Sequence, residues 1–148
     1  MKHPRSLVVA LLATATACFV WSHDEVARVT APSGDIDAIL IETNGGATTS
    51  FGYLVYVVPR GASATDSKRV ASLYGATRSD QAYGVNLKWR SSEELAVEYL
   101  SAHSEDLLRD SLSITNHTIR VQLVSGVSDP AAPPGGMLYN LQGRPDDR

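Results

Sequence analysis

Four histidines are the side chains best suited to move protons or hold a metal near neutral pH: His3, His23, His103 and His117. No two of them form a His-x-x-x-His or His-Glu-x-x-His pair, the spacing that sets two ligands on one helical face. His23-Asp24-Glu25 offers three donors in a row. Adjacent residues rarely converge on one ion, so a solvated stretch is the favoured reading. A serine nucleophile needs a defined turn to stand on and a base within hydrogen-bond reach. The chain has no Gly-x-Ser-x-Gly elbow, and pairing a serine with His103 or His117 would be arbitrary. Glu93 and Glu94 sit at an expected turn, whereas glycosidase carboxylates must face each other across a substrate. The expectation is a chain with no catalytic residue, no metal site and no cofactor.

Asn44-Gly45-Gly46-Ala47-Thr48-Thr49-Ser50 is the most singular segment. Exposed amides and hydroxyls there could take an anion, which makes Asn44, Gly45, Gly46, Thr48 and Thr49 candidate ligand-binding residues. The segment lacks the Gly-Lys-Ser/Thr ending of a phosphate loop, and a structural turn is the favoured account. Gly46-Ala47-Thr48-Thr49-Ser50 is echoed by Gly75-Ala76-Thr77-Arg78-Ser79, and coincidence or shared turn chemistry is favoured over a true repeat.

Charge narrows the partners. Lys2 and Arg5 stand at the extreme N-terminus, so beyond them 11 basic residues face 16 acidic ones, a net −5. An acidic domain with no basic cluster larger than Lys68-Arg69 is unsuited to nucleic acid, whose phosphates need a basic face. Cys18 is the one cysteine, so the globular part must fold without a disulfide.

Met1 to Arg5 is a short basic leader, and Leu7 to Trp21 follows it as 15 uncharged residues. A spanning helix needs roughly 20 apolar residues, and a signal-peptide core fewer. Three readings of residues 1–22 stay open: an uncleaved anchor ending on Trp21, a signal peptide cut near Ala15 or Ala17, and a lipoprotein box Ala15-Thr16-Ala17-Cys18 that makes Cys18 a lipidation candidate. All three place the remainder outside the cytoplasm, anchored in a membrane or periplasmic.

Beyond the leader, residues 23–34 are expected as a linker. Residues 35–125 are expected as one β-rich domain, and 126–148 as a flexible tail rich in Pro and Gly. Ile36–Thr43 is β-branched and bounded by turns, so a strand is expected. Phe51–Val58 has the apolar content of a central strand covered on both faces. Arg69–Tyr74, Gly84–Trp89, Leu95–Tyr99 and Ile119–Leu123 add further strands, the last three with clear alternation. Glu93 and its neighbours turn the chain between the second and third of these. Ser104–Arg109 is expected as a short helix, with acids early and Arg late. The fold class is thus mainly β (α+β). It is expected as one antiparallel meander of about six strands with one short helix, since parallel pairs need long crossovers.

The leader, the Pro32-Ser33-Gly34-Asp35 turn before a strand and the Glu42–Ser50 stretch together resemble a family of small bacterial membrane-anchored or lipoprotein-like proteins with a Gly-Ala-Thr-Thr run after the first strand. In that pattern a Cys precedes the Gly, and here Gly45 stands there instead. The resemblance implies architecture and location and no catalytic activity. The expected function is a membrane-associated or exported bacterial envelope protein, a binding or structural module that meets the membrane through its N-terminal segment and a protein partner in the envelope. The alternative is a small hydrolase or ligand-binding enzyme that uses Gly45–Ser50 with a histidine.

Overall fold

The computed structural model describes residues 22–79 and 81–128. The leader, Cys18 and residues 129–148 lie outside them, and so do the anchor and lipidation expectations. The described chain is mainly β, with a single turn of 3-10 helix at Asp66–Lys68. Its strands are β1 (Ser22–Thr30), β2 (Ile36–Asn44), β3 (Gly52–Pro59), β4 (Arg69–Tyr74), β5 (Arg78–Ser79), β6 (Ala82–Tyr83), β7 (Val85–Ser91), β8 (Glu94–Tyr99), β9 (Ser104–Leu107), β10 (Ser111–Ile114) and β11 (His117–Val124).

They form two main sheets and a small hairpin, not one meander. The first sheet runs β1-β2-β3-β4-β9, the second β10-β11-β8-β7, and β5 pairs with β6. Pairing is antiparallel except for β8 and β11, which run parallel from Glu94 opposite Arg120 to Glu98 opposite Val124. The parallel pair needs a crossover, and the chain makes it by passing through the first sheet as β9 and returning as β10 rather than through a helix.

Alternation decides the core. In β2, Ile36, Ala38 and Leu40 point to one face, and in β3 Tyr53, Val55 and Val57 join them. Leu95, Val97, Ile119 and Val121 of the second sheet meet them to complete one apolar core, so the two sheets lie face to face. The other face of the first sheet is also covered in part. Ile39, Tyr56 and Val58 are buried there, with Ala62 and Ala64 of the following connection packed against them. This is the two-sided cover expected for β3.

Two further expectations are corrected. Residues 23–30, expected in a linker, belong to β1 (Ser22–Thr30), which has eight register pairs to β2 and a bulge at Val26, whose side chain is fully buried. Alternation there was hidden because its outward positions carry His23, Glu25 and Arg28. Ser104–Leu107, expected as helix, is the edge strand β9. Leu73 stands opposite Glu105 and Ala71 opposite Leu107, and the ladder to β4 outweighs a weak local preference. Gly126 and Val127 donate to the carbonyls of Leu100 and Tyr99.

Candidate functional site

The Asn44–Ser50 segment is the β2–β3 connection, at the end of the sandwich where β1 starts, since Ser22 pairs with Asn44. Several of its polar groups bond within the connection or to Tyr74. The Asn44 side-chain carbonyl accepts from the Gly46 amide at 2.8 Å, and Gly46 sits at φ 107, which suits glycine. The Gly46 carbonyl accepts both the Thr49 amide and the Thr49 hydroxyl, each at 3.1 Å. The Ser50 amide donates to the Tyr74 hydroxyl at 2.9 Å. Gly45 is buried, while Gly46 and Thr48 are exposed.

The echoed Gly75–Ser79 segment lies beside it. The Gly75 amide donates to the Phe51 carbonyl, and the Arg78 guanidinium stacks 3.7 Å above the Phe51 ring. Arg78 also reaches Glu42 of β2 at 3.8 Å, with both side chains largely buried. Tyr53 completes this group. Burial, and then the neighbouring Glu42 carboxylate, push its phenol well above the usual tyrosine range, against the opposing pull of Arg78. A phenol shifted in that direction keeps its proton and does not serve as a base near neutrality. The Glu42–Arg78–Tyr53 group therefore fastens the 75–84 connection to the sheet. Sequence reasoning missed it. The local signal was a carboxylate, Glu42, at the end of a run that is apolar apart from Asp37.

The histidines fall in different places. His117 begins β11, where its Nε2 lies 3.1 Å from the Asp35 carboxylate and its Nδ1 3.7 Å from that of Glu93. It ties three turns together at the far end of the sandwich. The nine residues of β2 separate that end from Asn44, roughly 27 Å at strand rise. His117 thus cannot act with the Gly45–Ser50 loop. His103 lies at the loop's own end, its ring 6.2 Å from that of Tyr74 and pressed against Gly75. No side-chain hydrogen bond of His103 to a described residue is present. His23, Asp24 and Glu25 stand opposite Thr43, Glu42 and Ile41 along β1, so their side chains alternate between faces and do not converge.

No known family, curated protein or solved structure matches the chain.

Glu93 belongs to the two-residue turn between β7 and β8, and Glu94 opens β8 opposite Ser91. They do not form a facing acid pair. A shallow cavity of about 360 Å³ is lined by Asp110, Ser111, Arg120, Val121 and Gln122 on the β10–β11 side. It is open to solvent, and no histidine lines it. Among the described residues, no helix is long and apolar enough to cross a membrane, and no cluster of His, Cys, Asp and Glu could hold a metal.

Proposed function

We propose that this chain is a membrane-associated or exported bacterial envelope protein whose β-sandwich is a non-catalytic binding or structural module. One observation supports the non-catalytic part: several of the groups that could have done chemistry hold turns. The Gly46, Thr49 and Ser50 amides and the Thr49 hydroxyl bond within their own connection or to Tyr74. His117 is held between two carboxylates on turns at the opposite end. Location rests on the basic leader and the uncharged run from Leu7 to Trp21.

The test is fractionation of cells making the native chain or Cys18→Ser. The expected result is protein in the membrane or periplasmic fraction. A mass change on substitution identifies lipidation, and an unchanged mass in the membrane identifies an uncleaved anchor. Intact protein recovered in the cytosol overturns the reading.

A further inference from the structure

We infer that two copies of this chain join edge to edge through residues 104–110, in a two-fold dimer whose axis passes by Leu107. The inference stands on strand geometry and holds wherever the leader places the chain.

β9 lies at the margin of the first sheet, with β4 on one side and no strand among the described residues on the other. The chain then runs on along the same margin. The Arg109 amide donates to the Val70 carbonyl of β4 at 3.1 Å, and the Asp110 carbonyl accepts the Val121 amide of the second sheet at 2.8 Å. Residues 103–111 are all exposed. Such an edge presents backbone amides and carbonyls in a row, a template for a further strand.

The outer strands on the opposite side are guarded. β1 bulges at Val26 and exposes His23, Glu25 and Arg28. β7 carries Lys88 and Arg90, breaks register between Trp89 and Ser91, and sends the Trp89 indole N–H to the Val29 carbonyl of β1 at 2.9 Å. Bulges and edge lysines keep neighbouring molecules from adding a strand. β9 has neither, and its register with β4 is unbroken from Ser104 to Leu107.

Exposed apolar side chains gather at the same margin. Among the described residues the large ones are Tyr74, Leu107 and Leu108. Tyr74 stands opposite Ser104, so all three belong to this edge. Leu107 and Glu105 stand opposite Ala71 and Leu73, both core residues, so Leu107 sits where the core reaches water.

The order of charges selects a second copy and its register. In antiparallel self-pairing centred on Leu107, Leu107 meets its own copy and Glu105 meets Arg109 on both sides of the axis. Ser104 then meets Asp110 and Asp106 meets Leu108, so no like charges oppose. A slip that sets Leu107 against Leu108 also sets Glu105 against Asp110. Centring on Leu108 opposes Asp106 and Asp110, and centring on Asp106 opposes it to itself. Opposite charges directly across a strand pair stabilise it, and like charges do the reverse. Glu105 gives one carboxylate oxygen to the Tyr99 hydroxyl, and Arg109 gives one nitrogen to the Ser67 carbonyl. A carboxylate has a second oxygen and a guanidinium further N–H groups for the contact across the axis. The contact uses the same patch twice, so it closes at two copies. It is small, so the dimer should form and part with concentration.

The experiment uses the full chain carrying Cys18→Ser, held in detergent where it is membrane-bound. Sedimentation should show the mass rising from one chain to two with concentration. Leu107→Cys should cross-link two chains under oxidised glutathione, because directly opposed residues stand within disulfide reach, and Ser113→Cys should not. Glu105→Arg or Arg109→Glu alone should abolish the rise in mass. The two together should restore it, which a folding defect would not do. A chain that sediments as one copy at every concentration, equal cross-linking at 107 and 113, or no restoration in the double variant overturns the inference. Each of these results leaves the location proposed above untouched.

Discussion

Arg28 and Asp37 meet at 3.0 Å across the β1–β2 pair, on the sheet face turned away from the main core. The Asp37 carboxylate is only 2% exposed, and it also accepts the Thr30 hydroxyl at 2.8 Å and the Gly61 amide at 2.9 Å. Burial alone would raise its pKa. The Gly61 amide, the Thr30 hydroxyl and Arg28 together hold it below the ordinary carboxylate value. Arg28 in turn reaches the Ala62 carbonyl, so this one carboxylate pins the 60–65 connection over Ile39 and Val58.

Asp37→Ala should cost about 2–3 kcal/mol, less than a wholly buried pair because Arg28 can turn to water. Urea unfolding measures it, and a loss below half that size would show the network to be incidental. The sign with pH follows from the depressed native pKa. The contribution is complete above the ordinary value of about 3.9 and is lost as pH falls through the native one. Asp37→Asn should accordingly flatten the acid limb of the stability curve.

Gly84 is required by Tyr53. A Cβ on Gly84 would lie 2.4 Å from the Tyr53 hydroxyl oxygen, and the backbone there has φ +101. Gly34 has a positive φ too but open space around it. Gly84→Ala should destabilise by about 2–4 kcal/mol and Gly34→Ala by about 1 kcal/mol, as the first adds a clash to the strain. Adding Tyr53→Phe should recover part of the Gly84→Ala loss, because the nearest atom is removed while the ring remains. Equal losses at the two glycines in thermal melts would contradict this account.

His117 supports Asp35. The Asp35 pKa is lowered chiefly by the Ser33 hydroxyl, with a smaller part from the His117 ring. In His117→Ala the Asp35 titration, followed by carboxyl carbon NMR, should move up part of the way and no further, since Ser33 stays. Because the native pKa is depressed, the stability linked to Asp35 is present above the ordinary carboxylate pKa and fades as pH drops through the native one. No movement of the titration would separate His117 from Asp35.

Tyr99 joins the second sheet to the edge strand of the first. Its hydroxyl donates to Glu105 at 2.6 Å, and burial followed by this bond pushes its pKa up to about 12. Absorbance titration should find one phenol ionising near that value, and Glu105→Gln should lower it. A native pKa raised above the unfolded value of about 10 gives stability that is full below pH 10 and lost as pH climbs from there. Tyr99→Phe should remove that alkaline dependence and cost about 1 kcal/mol at neutral pH.

Much of the strand content was legible along the chain. Val85, Leu87 and Trp89, or Ile119, Val121 and Leu123, alternate with polar residues, and a period of two needs no distant partner to be recognised. The apolar run of β3 announced cover on both faces in the same way. Where local pattern and final structure part company, a distant neighbour decides. Ser104–Leu107 has no apolar stripe of its own and becomes a strand because β4 offers it an edge. Ser22–Thr30 hides its alternation behind charges that find partners only once β2 lies alongside, as Arg28 finds Asp37.

The candidate site divides along the same line. The turn at Asn44–Ser50 was recognisable from its residues, since Asn and Gly carry their conformational preferences with them. That Arg78 would stack on Phe51, and that His117 would stand a whole strand length from this turn, could not be found in local order. Sequence alone determined that the chain is β-rich, acidic, free of disulfides in its globular part and headed by an uncharged run, because these follow from residue types and short-range period. Only tertiary structure decided the split into two sheets, the parallel β8–β11 pairing and the bonding of the Asn44–Ser50 turn to Tyr74. Those depend on which strands meet, and contacts between residues far apart in the chain are chosen by the packing of the whole core.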